Sequence, residues 1–217
     1  MLLNHRRALR LVACTAALTA VVFLMVGTDA NRGFVQDVDD WWLDLMVRGR
    51  VEPLVWVARA LAFAGSAWVN WPVRLVVMVL LAVRRRWLQL SAFVLAVATS
   101  EPLVGLLKAP HPRPPPVLGL YATDSFAFPS GHAIAGAVTA VGIVIVLLPP
   151  GPRRWRWEVQ AAAYAGLMAL SRTYLGVHWL SDVVGGTLLG VTLAVGWPAL
   201  LQERRERRAR SRTGVAT

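Results

Sequence analysis

Three short stretches of the chain hold side chains that could do chemistry on a phosphate ester. Residues Ser171 to Asp182 read SRTYLGVHWLSD, placing Arg172, His178 and Asp182 at useful intervals. His178 and Asp182 are four residues apart, so on one helix they share a face and lie within mutual reach. A carboxylate against one imidazole nitrogen fixes the tautomer and leaves the other nitrogen as acceptor or nucleophile. Arg172 is a permanent planar cation, the side chain best shaped to hold phosphate oxygens. In Phe128-Pro129-Ser130-Gly131-His132, Pro129 stops any preceding helix and Ser130 is a good N-cap for a following one. Gly131 lets another group approach the backbone closely. The free N–H groups of such a helix start form an anion site, where His132 can protonate the leaving oxygen of an ester. The third stretch runs from Lys108, the only lysine in the chain, to Arg113-Pro114. Taken singly, each group has a bland reading as a cap, a surface charge or a snorkelling side chain. What matters is whether the intervening elements bring them to one place.

Those elements read as membrane spans. Of the 217 residues 56% are hydrophobic, and mean hydropathy is +0.52, where a soluble domain has about 45–50% apolar residues. The excess lies in long uncharged runs rather than in period-2 alternation, so the expected fold is all-α, an integral membrane bundle. A net charge of +11 would elsewhere point to nucleic acid. Here the arginines cluster between apolar runs, as the positive-inside rule places them, and no nucleic-acid partner is expected. Cys14 is the single cysteine, so no intramolecular disulfide can form. No motif specifies an oligomeric state.

Residues 1–28 read as an uncleaved first span, preferred to a cleaved signal peptide. Residues 29–53, with Asp37, Asp39, Asp40 and Asp44 around Trp41 and Trp42, read as an amphipathic interfacial segment. There the aspartates are expected to form a solvated face rather than a metal site. Residues 54–200 are the helical core: an interfacial or re-entrant stretch leading into a span that ends at Arg84-Arg85-Arg86, then spans over 87–107, 133–148, 159–175 and 179–200. Gly186 and Gly190 have the small-xxx-small spacing of close helix contact. Residues 201–217 form a basic tail. Six spans put the arginine clusters at 6–10, 84–86, 153–156 and 204–212, with both termini, on the cytoplasmic side. The loop after Lys108, including Thr123, and the neighbourhood of His178 then lie on the other side.

With these stretches in view, the chain resembles the type 2 phosphatidic acid phosphatase superfamily of membrane lipid phosphatases. Pro129–His132 and Ser171–Asp182 match two of the family's signatures in full. The first signature departs: the family usually has six residues between its lysine and Arg-Pro, whereas four separate Lys108 from Arg113. Either the loop is shorter by two, or Arg113 matches the first arginine of an Arg-Pro-Arg-Pro in which Pro115 replaces the second.

The resemblance implies a multi-pass protein of the cell membrane, a bacterial plasma membrane, with its active site facing outside. It implies hydrolysis of a lipid phosphate or diphosphate, with the substrate and membrane lipids as partners and no metal or other cofactor. His178 would be the nucleophile, Asp182 its orienting carboxylate and His132 the general acid. Lys108, Arg113 and Arg172, with Ser130 and the Gly131 N–H, would hold the phosphoryl oxygens. Vanadium haloperoxidases share this anion site, but six apolar spans argue against that activity. A phosphotransferase using the same phosphoenzyme, or a non-catalytic transporter retaining the fold, are the alternatives.

Overall fold

The computed structural model describes residues 2–121 and 125–212, and these form eight helices and no strand. Thr123 and the end of the chain beyond Arg212 lie outside the described residues. α1 (His5–Gly27) starts at Asn4, whose side chain accepts the Arg7 N–H. α2 (Asp29–Arg48) follows directly. α3 (Glu52–Ala64) and α4 (Ala67–Val83) form a pair bent by 48°. α5 (Trp87–Lys108), α6 (Gly131–Leu147), α7 (Arg154–Tyr174) and α8 (Leu180–Arg212) complete the bundle.

α6 lies at the centre, packed against α4, α5, α7 and α8. Its run of small and β-branched residues suits burial on all sides, and Ala133, Ala137 and Val138 lose all exposure. The backbones of α6 and α8 come together at two glycines. A Cβ on Gly186 would stand 2.7 Å from the Ser130 carbonyl, and one on Gly190 would stand 2.7 Å from the Ile134 carbonyl. The expected small-residue contact is therefore present, and it is what sets the two helix starts side by side.

α1, α5 and α8 are long and apolar enough to cross a membrane, and the bent α3–α4 pair makes a fourth such unit. The expected six also needs α6 and α7. At 17 residues, α6 is about 25 Å long, and α7 carries Arg154, Arg156 and Glu158 in its opening turns. α6 is surrounded by protein, so irregular backbone at its ends is tolerated where a lipid-exposed end would not be.

One end of the bundle gathers the arginines. Arg154 Nη1 donates to the Leu2 carbonyl at 2.7 Å. The Gln202 side-chain oxygen accepts the N–H groups of Leu2 and Leu3 at 2.7 and 3.0 Å. Arg86 Nη1 donates to the Leu147 carbonyl at 3.4 Å. The beginning of α1, the α4–α5 turn, the α6–α7 turn and the distal part of α8 thus meet there. α8 does not end near Leu200 as expected but continues to Arg212. Glu203 and Arg207 pair across one turn at 2.6 Å, and Gln202 donates to Glu206. Alternating Glu and Arg at helical spacing sustains the helix where apolar content stops.

Candidate active site

The opposite end collects the expected chemical groups, and a helix terminus positions the first. α7 closes with a paired turn in which the Val177 N–H donates to the Arg172 carbonyl at 3.1 Å and the Gly176 N–H to the Thr173 carbonyl at 2.9 Å. Gly176 has φ +69°, the left-handed value this termination requires. A Cβ there would also strike Arg50 and the Leu118 carbonyl. The reversal sends His178 back toward the end of α7 that carries Arg172.

His178 stands in the linker ahead of α8, between the two expected spans, so the condition that it share a helix with Asp182 is not met. Helix capping brings the two together instead. Asp182 is in the first turn of α8, and its Oδ2 accepts the Trp179 N–H at 2.8 Å. His178 Nδ1 lies 3.4 Å from that same oxygen, close enough for charge attraction but outside hydrogen-bond geometry. Burial pushes the His178 imidazole below its ordinary range; Asp182 pulls it upward, while Arg172 and Lys108 push it further down. The ring is accordingly neutral at neutral pH.

Ser130 is the N-cap of α6, as expected, but its hydroxyl makes no capping bond. Its N–H donates to the Asp182 carbonyl at 3.1 Å, so main chain joins one signature to the other. His132, in the first turn of α6, lies within electrostatic reach of Arg172, His178 and Lys108. Lys108 Nζ donates to Ser125 Oγ at 3.0 Å and to the Phe126 carbonyl at 2.6 Å. Arg172 donates through Nη1 to the Tyr121 hydroxyl and sits against that ring. Ser130 Oγ and Arg172 Nε are buried and have no hydrogen-bond partner. Lys108 and His132 are the partly exposed members of the group.

Arg113 has a different set of neighbours. Its Nη1 donates to Ser181 Oγ at 2.6 Å and Asp182 Oδ1 at 3.3 Å; its Nη2 donates to Gln36 Oε1 at 2.7 Å and Asp39 Oδ2 at 2.6 Å. Both terminal nitrogens are occupied by protein acceptors, and Arg113 braces Asp182. The expectation of a solvated aspartate face on α2 holds for Asp37, Asp40 and Asp44 but fails at Asp39, which is 1% exposed. Asp39 and Gln36 are turned toward Arg113, and Asp39 also meets the start of α8 at Ser181. Sequence reading also passed over Tyr121 and Gly176. The glycine set between Arg172 and His178, inside the Ser171–Asp182 stretch, was the available signal for the second of these. A cavity of about 840 Å3 opens at the arginine-rich end, lined by Arg7, Val141 and Trp155 among others, and is remote from both histidines.

With this geometry established, comparison with known proteins is informative. A profile of the PAP2 superfamily matches residues 85–206. Sphingosine-1-phosphate phosphatase 1 of Rattus norvegicus is 31% identical over 97 residues, which cover 42% of this chain and only 22% of that protein. The undecaprenyl-diphosphatase of Sulfolobus acidocaldarius is 27% identical over 176 residues, covering 79% of this chain and 80% of its own. The crystal structure of a transmembrane PAP2-type phosphatidylglycerolphosphate phosphatase from Bacillus subtilis superposes with a TM-score of 0.75 at 25% identity, covering 90% of this chain and 96% of that one. The superfamily match spans more than half of the chain and takes in both His132 and His178, so this multi-pass membrane protein belongs to the PAP2 superfamily.

Proposed function

We propose that the protein is a membrane-embedded phosphatase that hydrolyses a lipid phosphate or diphosphate through a phosphohistidine, at the non-cytoplasmic end of the bundle. The observation that carries this reading is the pair of buried, unpartnered polar atoms, Ser130 Oγ and Arg172 Nε, contributed by two different signatures beside two histidines. Buried donors without partners are costly, and a tetrahedral oxyanion answers both. The names of the relatives, an undecaprenyl-diphosphatase and a sphingosine-1-phosphate phosphatase, agree with a phosphorylated lipid as substrate.

Asp182 faces Nδ1 of His178, leaving Nε2 to attack phosphorus. The bond from phosphorus to the lipid oxygen breaks as the bond to nitrogen forms, and His132 gives its proton to the departing oxygen. His132 then takes a proton from water, whose oxygen attacks the phosphohistidine and releases phosphate. Lys108 and Arg172, with Ser130 and the Gly131 N–H, stabilise the charge on the transferring group. Arg113 is assigned to Asp182 rather than to phosphate, which supports the alignment with Pro115 in place of a second arginine. Fixed cations do here what a divalent ion does elsewhere, so turnover is expected to persist in EDTA; a magnesium requirement would contradict the scheme.

The test is phosphate release by purified protein from a panel of lipid phosphates and diphosphates, with a His178→Ala control. Release by the wild type alone, with 32P trapped on wild-type protein in acid-quenched samples, is the expected result. No release from any member would sink the reading. Label passing to a lipid hydroxyl instead of water would turn it toward phosphotransfer.

A further inference from the structure

Two buried carboxylates share one guanidinium behind the nucleophile. Asp182 is fully buried, and Arg113 reaches its Oδ1 from one side while His178 approaches its Oδ2. On the far side of Arg113 stands Asp39 of α2. Its Oδ2 accepts from Arg113 at 2.6 Å and from the Ser181 hydroxyl at 2.7 Å, and its Oδ1 accepts the Ser181 N–H at 2.8 Å. Asp39 therefore also closes the N-terminus of α8, where a carboxylate is favoured. α2 lies outside the stretch that matches the superfamily.

We propose that Asp39 is a positioning residue for His178, acting through Arg113 and Asp182. With Asp182 as its only anion, Arg113 would neutralise that carboxylate and weaken its hold on the imidazole. Asp39 draws the guanidinium toward α2, so the line of charges reads minus, plus, minus, and Asp182 keeps its pull on Nδ1. A buried cation left with one anion instead of two shifts its whole field onto the survivor. The other charged or titratable groups facing His178 are Arg172 on α7, Lys108 at the end of α5 and His132 on α6. All three stay in place when Asp39 is changed, so the variant isolates the α2 contribution. This inference rests on the reading of His178 as nucleophile, yet its test does not need turnover.

The experiment is a pH titration of 15N-histidine-labelled protein in detergent, wild type against Asp39→Asn, with the His178 resonance assigned by its loss in His178→Gln. In Asp39→Asn the His178 titration is expected to move to lower pH. In the active protein kcat is expected to fall about tenfold, the lower end of what such supporting groups contribute, with KM little changed. Asp39→Glu, which keeps the charge, should restore both. Ser181→Ala removes an acceptor from Arg113 Nη1, throws the guanidinium onto Asp182 by another route, and should shift His178 in the same direction. A purely structural cap would lower thermal stability and leave the titration unmoved; an unmoved titration in whichever of Asp39→Asn and Ser181→Ala folds would overturn the proposal. If the wild type releases no phosphate from any lipid, the phosphatase reading fails while the titration still decides the role of Asp39.

Discussion

His178 and Asp182 carry the sharpest expectations at the level of single residues. Asp182→Asn keeps the shape of the side chain but removes the charge facing Nδ1 and presents a mixed donor and acceptor to it. Loss of the correct tautomer is expected to cost about 10^2 to 10^4 in kcat, read in a phosphate-release assay with KM as the control for binding. Because burial holds His178 neutral below the ordinary imidazole value of about 6.5, protonation of the nucleophile begins only under more acid conditions. The acid limb of kcat/KM assigned to His178, once the ionisation of the substrate phosphate is subtracted, is therefore expected below that value. A limb centred above it would contradict the downward push that burial exerts on the ring. The chemical side chains were legible from the sequence because their types and intervals have few other uses. Arg113 was legible as a charge but not as a partner, since its acceptors Gln36 and Asp39 lie more than seventy residues away in the chain.

At the level of elements, the turn after α7 is the piece that aims the nucleophile. Gly176→Ala must place a β-carbon in the left-handed region, a cost of about 1–2 kcal/mol, and must push against the Leu118 carbonyl, which is backbone and yields little. Lower thermal stability together with reduced kcat is expected; full activity would show that the turn does not set the ring. Helix identities over 87–107 and 133–148 were readable because their apolar runs are bounded by arginine, proline and glycine. The course of α8 past Leu200 was not, because composition there turns polar while the ion pair of Glu203 with Arg207 keeps the helical period. The burial of Asp39 was hidden for a related reason. Asp37, Asp39, Asp40 and Asp44 of α2 look alike in sequence, and only the placement of α2 against α8 distinguishes the one turned inward.

For the whole molecule, the arginine clusters at one end and His132 and His178 at the other make orientation testable. Val117, 96% exposed in the loop that follows Arg113, gives a suitable reporter. In a Cys14→Ser background, which removes the one exposed thiol, a cysteine introduced by Val117→Cys is expected to react with an impermeant maleimide added outside intact cells. Protection there, with labelling only after lysis, would reverse the proposed orientation. Orthovanadate, a mimic of pentacoordinate phosphorus, is expected to inhibit and to raise thermal stability in step with its occupancy. The bond from the Ser130 N–H to the Asp182 carbonyl has one more implication, because it joins the signatures without using any side chain. Inert replacements at the histidines leave that clasp closed, so a dead enzyme should still seat its natural lipid and carry it through extraction, offering mass spectrometry a bait with which to identify the molecule in cells.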